Sequence, residues 1–111
     1  MKEDLKMKML YVAHPFSGDE TSNYQDAERQ RAELQEKYPD ICFINPLSMF
    51  GGAETDYCLS LSLAFEVLSR CDGIILSVGW EDSGGCKAEK ALAMRQGMTI
   101  HYIEEFLPED M

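Results

Sequence analysis

The chain has 111 residues, 45% of them hydrophobic, and a formal net charge of -10. That length suits one domain over residues 1–111, and that hydrophobic content indicates a packed globule, not a disordered chain. The acidic balance argues against a nucleic-acid binder, which needs clustered Lys and Arg to displace counterions, but it leaves room for a small phosphorylated ligand held by backbone N–H groups.

No apolar run approaches the roughly 20 residues of a spanning helix. The stretch Met1 to Leu10 alternates charges with apolar residues and contains no signal-peptide core. A cytoplasmic protein without a membrane partner is expected. The cysteines, Cys42, Cys58, Cys71 and Cys86, form no CxxC pair, and the chain has two histidines. Buried, reduced thiols are therefore expected, with no metal and no cofactor.

The first element is an apolar strand, Met7 to Ala13, stopped by His14-Pro15. A loop through Phe16 and Gly18 follows. Thr21 or Ser22 is placed to cap a helix running to about Tyr38, with Tyr24, Ala27, Leu34 and Tyr38 as its apolar positions. Pro39-Asp40 ends it. Ile41 to Ile44 reads as a second strand closed by Asn45-Pro46. Leu47 to Thr55, with Gly51-Gly52, reads as a loop, and about Asp56 to Arg70 as a Leu- and Ala-rich helix buried on more than one side.

Asp72-Gly73 leads into a third strand, Ile74 to Val78; a turn role suits Asp72. A third helix is expected from about Ser83 to Gln96, with Gly97 as its C′ residue. Thr99 to Ile103 is the fourth strand, before an acidic tail from Glu104 to Met111. Strand–helix alternation with nearly continuous apolar strands predicts a parallel sheet covered on both faces. A flavodoxin-like three-layer α/β domain with strand order 2-1-3-4 follows. Ligands of such sheets bind beyond the carboxyl ends of the strands, where the order reverses. That places Tyr11 to Gly18 and Gly79 to Glu89 on one crevice.

Several side chains there carry two readings each. Ser83-Gly84-Gly85 before a helix suits an anion cradle, and Asp82 or Ser83 equally suits an ordinary N-cap. Glu89 lies six residues beyond Ser83, roughly 9 Å along a helix axis. It is either an exposed charge favoured by the helix dipole or a nucleophile or base aimed into the crevice. Tyr11 is a core aromatic or a hydroxyl partner of Glu89. His14 is a donor to a ligand oxygen or a satisfied loop histidine. Trp80 is a surface for a nucleobase or a lid over the core.

Tyr11-Val-Ala-His-Pro-Phe-Ser-Gly18, Asn23, Asn45-Pro46, Cys71-Asp72, Gly79-Trp80-Glu-Asp-Ser83-Gly-Gly-Cys-Lys-Ala-Glu89 and Ala93 with Gly97 occur in an order that resembles the nucleoside 2-deoxyribosyltransferase-like superfamily. The pattern is most similar to its short branch, the DUF4406-type proteins of bacteria and phages. The resemblance runs from Tyr11 to Ile103. It implies an enzyme that cleaves N-glycosidic bonds of (deoxy)nucleosides or their 5′-monophosphates, by deoxyribosyl transfer or hydrolysis. Glu89 then matches the glutamate nucleophile and Tyr11 the strand tyrosine that contacts it.

Characterised relatives that use free nucleosides often carry an aspartate six residues before the nucleophile, where relatives that hydrolyse 5′-monophosphates carry a serine; this chain has Ser83, with Asp82 beside it. The implied substrate site comprises His14, Phe16, Gly18, Trp80, Asp82, Ser83 and Gly84, with Phe16 or Trp80 against the base. The resemblance also implies a homo-oligomer, a dimer or higher. Three departures stand out, one being a chain shorter than the well-studied enzymes, which implies that base-gripping C-terminal segments are absent. A second acid common in active relatives is replaced by Ala64, with Glu66 two residues on, and His14 replaces a common glycine. A non-catalytic nucleotide-binding or sensing module on the same fold is the alternative, and an accessory protein acting through protein contacts is a third.

Overall fold

In the computed structural model, residues 8–16, 18–47 and 57–108 are described, with the backbone alone for residues 57–60. The expected loop through Gly51-Gly52, the helix start at Asp56 and the end of the tail at 109–111 lie outside the described residues.

Four strands form one parallel sheet: β1 (Lys8–Ala13), β2 (Ile41–Ile44), β3 (Gly73–Leu76) and β4 (Thr99–Tyr102). Their order is β2-β1-β3-β4, with Tyr11 opposite Ile44 on one side and Ile74 on the other. Among the described residues, α1 (Glu20–Lys37), α2 (Tyr57–Leu68) and α3 (Gly84–Arg95) connect them, and Pro46 and Leu47, where a loop was expected from Leu47, are helical. The fold is the expected flavodoxin-like α/β arrangement.

Strand pleating sorts the core into two layers. Leu10, Val12 and Ile75 pack with Leu34 of α1 on one face, together with Ile103 and Leu107. Tyr11, Ala13, Ile74 and Leu76 pack with Ala64 and Leu68 of α2 and Cys86 and Ala93 of α3 on the other. Neighbouring residues of β1 therefore serve opposite faces, which decides what each crevice side chain meets.

Several element ends differ from expectation. Helix α1 is capped by Asp19, whose carboxylate accepts from Ser22 N at 3.2 Å, so Ser22 donates to the cap and does not supply it. Its buried stripe is Ala27, Gln30 and Leu34, whereas Tyr24 is exposed. Strand β3 stops at Leu76, short of the expected Val78, which is exposed. Gly79 adopts φ 93°, a left-handed geometry costly for any side chain, and turns the chain into a 3-10 turn at Trp80–Asp82. Strand β4 ends at Tyr102, one residue early, because Glu105 folds back in a 3-10 turn to accept from Tyr102 N.

Helix α3 begins after Ser83, whose hydroxyl accepts from Cys86 N at 3.2 Å, and ends before Gly97, which has φ 71°. Asp72 does more than turn the chain: its carboxylate accepts from Met9 N at 2.7 Å and ties the start of β1 to that of β3. The edge of β2 is covered by Gln35, which donates to Ile41 O and accepts from Phe43 N. Cys42, Cys71 and Cys86 are free thiols. Among the described residues no helix is long and apolar enough to cross a membrane.

Candidate functional site

The crevice lies where the carboxyl ends of β1 and β3 meet, at the reversal of strand order. Helix α3 starts on its rim. The stripe of α3 that faces the sheet comprises Cys86, Glu89 and Ala93. These positions repeat at helical spacing, so Glu89 occupies a core position and points inward. It is 7% exposed. The reading of Glu89 as an exposed, dipole-stabilising charge is thereby corrected.

The Tyr11 hydroxyl, fully buried on the same face, donates to Glu89 Oε2. Among the described residues Glu89 has no cationic partner. Burial in apolar surroundings pushes its carboxyl up to about 7, against the opposing effect of the Tyr11 hydrogen bond. Burial, then the Glu89 charge, holds the Tyr11 hydroxyl far above its ordinary range, so it remains a donor. Burial also pushes the neighbouring Cys86 thiol up to about 12, with its Ser83 hydrogen bond opposing and the Glu89 charge adding. Cys86 is therefore a neutral wall of the site, and Glu89 is its titrating group.

The start of α3 supplies the second component. Ser83 caps the helix, and the first helical N–H groups of Gly84 and Gly85 have no intrahelical acceptor. A Cβ at Gly84 would meet no atom within 4 Å, and one at Gly85 would meet only Ser83 Oγ at 4.0 Å. The glycines are thus not required by crowding within the protein, and they leave these donors open to an anion. Asp82, in the 3-10 turn before the cap, is exposed.

Trp80 is engaged within the protein. Its ring lies 6.0 Å from that of Tyr102, Lys90 Nζ sits 4.4 Å from its centroid, and it packs on the core beneath α3. Phe16, at 37% exposure, joins neither core cluster and is the open aromatic near the mouth. Gly18, at φ 105°, turns the chain toward α1.

His14 has both of its ring nitrogens engaged by protein oxygens, as in the second of its two readings, a satisfied loop histidine. Pleating directs it to the α1 face, away from Tyr11. Its Nδ1 lies 2.7 Å from Pro15 O and its Nε2 2.7 Å from Asp26 Oδ2, and its side chain is 5% exposed. Both nitrogens are occupied within the protein, so His14 holds the loop.

The partners of His14 were not singled out from the sequence. Asp26 also accepts from Arg29 and from Gln30 Nε2. Burial raises the Asp26 carboxyl, but the hydrogen bonds from His14 and Arg29 outweigh it and hold it below its ordinary value. Gln30 Oε1 in turn accepts from buried Ser77 at the end of β3, at 2.8 Å. The available signal was Gln30, a polar residue three after Ala27 and four before Leu34, on the stripe that must be buried. Among the described residues no group of His, Cys, Asp and Glu side chains is arranged to hold a metal ion.

Solved structures share this architecture. A conserved protein from Enterococcus faecalis V583 superposes with a TM-score of 0.69 at 16% identity, over 87% of this chain and 63% of that one. A 2-desoxiribosyltransferase from Leishmania mexicana superposes with a TM-score of 0.62 at 22% identity, over 86% of this chain and 63% of that one. The chain thus spans less than two thirds of either protein, and at these identities the likeness concerns the fold. A search of curated proteins found no match. The family model that does match covers residues 8–102, nearly the whole described structure, and on that match the chain belongs to the family described as domain of unknown function DUF4406.

Proposed function

We propose that the protein cleaves the N-glycosidic bond of (deoxy)nucleosides or their 5′-monophosphates, with Glu89 as nucleophile. The observation that carries this reading is a carboxyl group buried, among the described residues, without a cation, held by a buried tyrosine hydroxyl and poised near neutrality. A structural carboxylate is normally ion-paired or solvated, and among the described residues Glu89 is neither. The fold it shares with a 2-desoxiribosyltransferase supports the nucleoside class of substrate.

In the proposed reaction a Glu89 oxygen attacks the anomeric carbon while the carbon–nitrogen bond breaks. The bonding pair leaves with the base, which takes up a proton from solvent, and the attacking water or base returns one to solvent in the second step. Water or a second base then attacks the glycosyl ester and frees the carboxylate. The Tyr11 O–H bond orients one carboxylate oxygen and leaves the other for attack. Gly84 and Gly85 N–H groups, with the Ser83 hydroxyl, receive the 5′ end and suit a phosphate better than an acidic side chain would. Phe16 stacks on the base, Gly18 and Asp82 border the site, and Trp80 closes its α3 side.

The test is base release from a panel of deoxynucleosides and their monophosphates. Release by the native protein and none by Glu89→Gln is expected. Equal release by both refutes the assignment. The second reading, a nucleotide-binding module without catalysis, draws on Ala64, an apolar residue buried in the α2 layer, at the place where the family resemblance implies that active relatives often carry an acid. Thermal stabilisation by nucleotides without base release distinguishes it. We further read the protein as a homo-oligomer, supported by the exposure of Leu63 on the apolar helix α2. Light scattering tests that statement.

A further inference from the structure

The Tyr11–Glu89 pair occupies one face of the sheet. On the opposite face a second polar cluster reaches the same crevice, and the proposed reaction makes no direct use of it. Its hub is Asp26, on α1. One carboxylate oxygen accepts from Arg29, at 3.1 Å from Nε and 2.6 Å from Nη2. The other lies 2.7 Å from His14 Nε2 and accepts from Gln30 Nε2 at 3.3 Å. His14 passes the connection to Pro15 O, at the start of the loop that carries Phe16. Gln30 passes it to Ser77, at the end of β3, whose N–H donates to Ala13 O at 3.0 Å. One carboxylate thus joins α1, the loop after β1 and the end of β3, the elements that form the crevice.

Asp26 sits on α1 with its side chain 41% exposed, and its hydrogen bonds are to protein groups. What it can do is fix the side chains that border the crevice. His14 presents its two ring nitrogens to two oxygens, Pro15 O and Asp26 Oδ2, so the carboxylate fixes the ring against the loop backbone. Among the described residues the loop at Phe16 is also held by the bond from Asn23 Nδ2 to Phe16 O at 3.0 Å, which too comes from α1.

We propose that Asp26 is a positioning residue for substrate binding, holding the Phe16 loop against the crevice through His14. The proposal rests on the nucleoside reading for the identity of the substrate but not for the connection itself. It assigns the His14–Asp26 pair to the base side of the site and leaves the chemical step to the other face of the sheet.

Asp26→Asn is the decisive variant. Asparagine offers one carboxamide oxygen where two acceptors are required, so either Arg29 or His14 is left facing an NH2 group. The side chain is 41% exposed and belongs to neither apolar core cluster, so the fold is expected to be retained. Two measurements are made. In the base-release assay with a deoxynucleoside monophosphate, KM is expected to rise about tenfold, the loss of roughly one charge-assisted hydrogen bond, with kcat within about threefold of native. Asp26→Glu, which keeps both acceptor oxygens, recovers part of that loss. Independently of any substrate, backbone 15N relaxation should show the amide order parameters of Phe16 and Gly18 falling from about 0.85 toward 0.6 in Asp26→Asn.

Unchanged order parameters overturn the proposal, as does a fall in kcat at constant KM. If the native protein releases no base, the nucleoside reading fails on that result. The order parameters then still decide whether Asp26 holds the loop.

Discussion

Replacing Glu89 by glutamine removes a charge that the fold pays to bury, so the variant should be more stable than the native protein at neutral pH and above. The magnitude comes from the position of the carboxyl. Burial moves its half-titration from an ordinary 4.5 to about 7, which corresponds to about 3 kcal/mol of destabilisation once the group ionises in the folded state. The sign is set by where the proton is held. Below about pH 4.5 the carboxyl is protonated in both folded and unfolded chains and nothing is lost. Between about 4.5 and 7 the unfolded chain releases its proton while the folded one keeps it, and stability declines. Above about 7 the decline is complete. Glutamine is neutral throughout and still offers Tyr11 an acceptor oxygen.

The assay is urea unfolding of both proteins at pH 4.5 and pH 8. Other titrating groups contribute equally to both chains and cancel in the difference. The stability of Glu89→Gln relative to native should increase between those pH values by up to about 3 kcal/mol. Parallel pH profiles for the two proteins would refute the reasoning, because they would mean that Glu89 ionises in the fold as readily as in water.

Tyr11→Phe keeps the ring in the core and deletes the one hydroxyl that favours the charged form of Glu89. The acidic limb of the pH profile for base release should move to higher pH, and folding stability should change by about 1–3 kcal/mol. Ser83→Ala removes the cap of α3 and should cost about 1 kcal/mol in thermal unfolding, while reducing any preference for monophosphates over nucleosides. Gly73→Ala places a Cβ 2.2 Å from Thr99 Oγ1 and 3.0 Å from Thr99 O, forcing β3 and β4 apart. Thr99→Ala in the same chain removes the first clash but leaves the backbone contact, so denaturation should show only partial recovery.

Local periodicity was enough for the sheet and its order. The apolar runs around Tyr11, Phe43, Ile75 and Ile100 read as buried strands, and the helices between them force parallel pairing. Element ends were less legible. Asp19 against Ser22 as the cap, or Leu76 against Val78 as the last residue of β3, depends on which side chain reaches a free N–H group, and composition does not encode that reach.

The site divides along the same line. Tyr11, Glu89 and Ser83 were singled out in the sequence by spacing and by resemblance, and the stripe of Cys86, Glu89 and Ala93 already marks an acid on a core-facing position. That Tyr11 and His14 face opposite layers is also implicit in a two-residue pleat, though reading both as crevice residues obscured it. What only the tertiary structure decided is the company each group keeps. Glu89 meets a hydroxyl 78 residues away and, among the described residues, no cation, while His14 meets an aspartate on α1. Sequence patterns report which face a residue occupies because they reflect local backbone geometry. The charge state of a buried carboxyl depends on what neighbouring elements bring to it, and that is settled only when they pack.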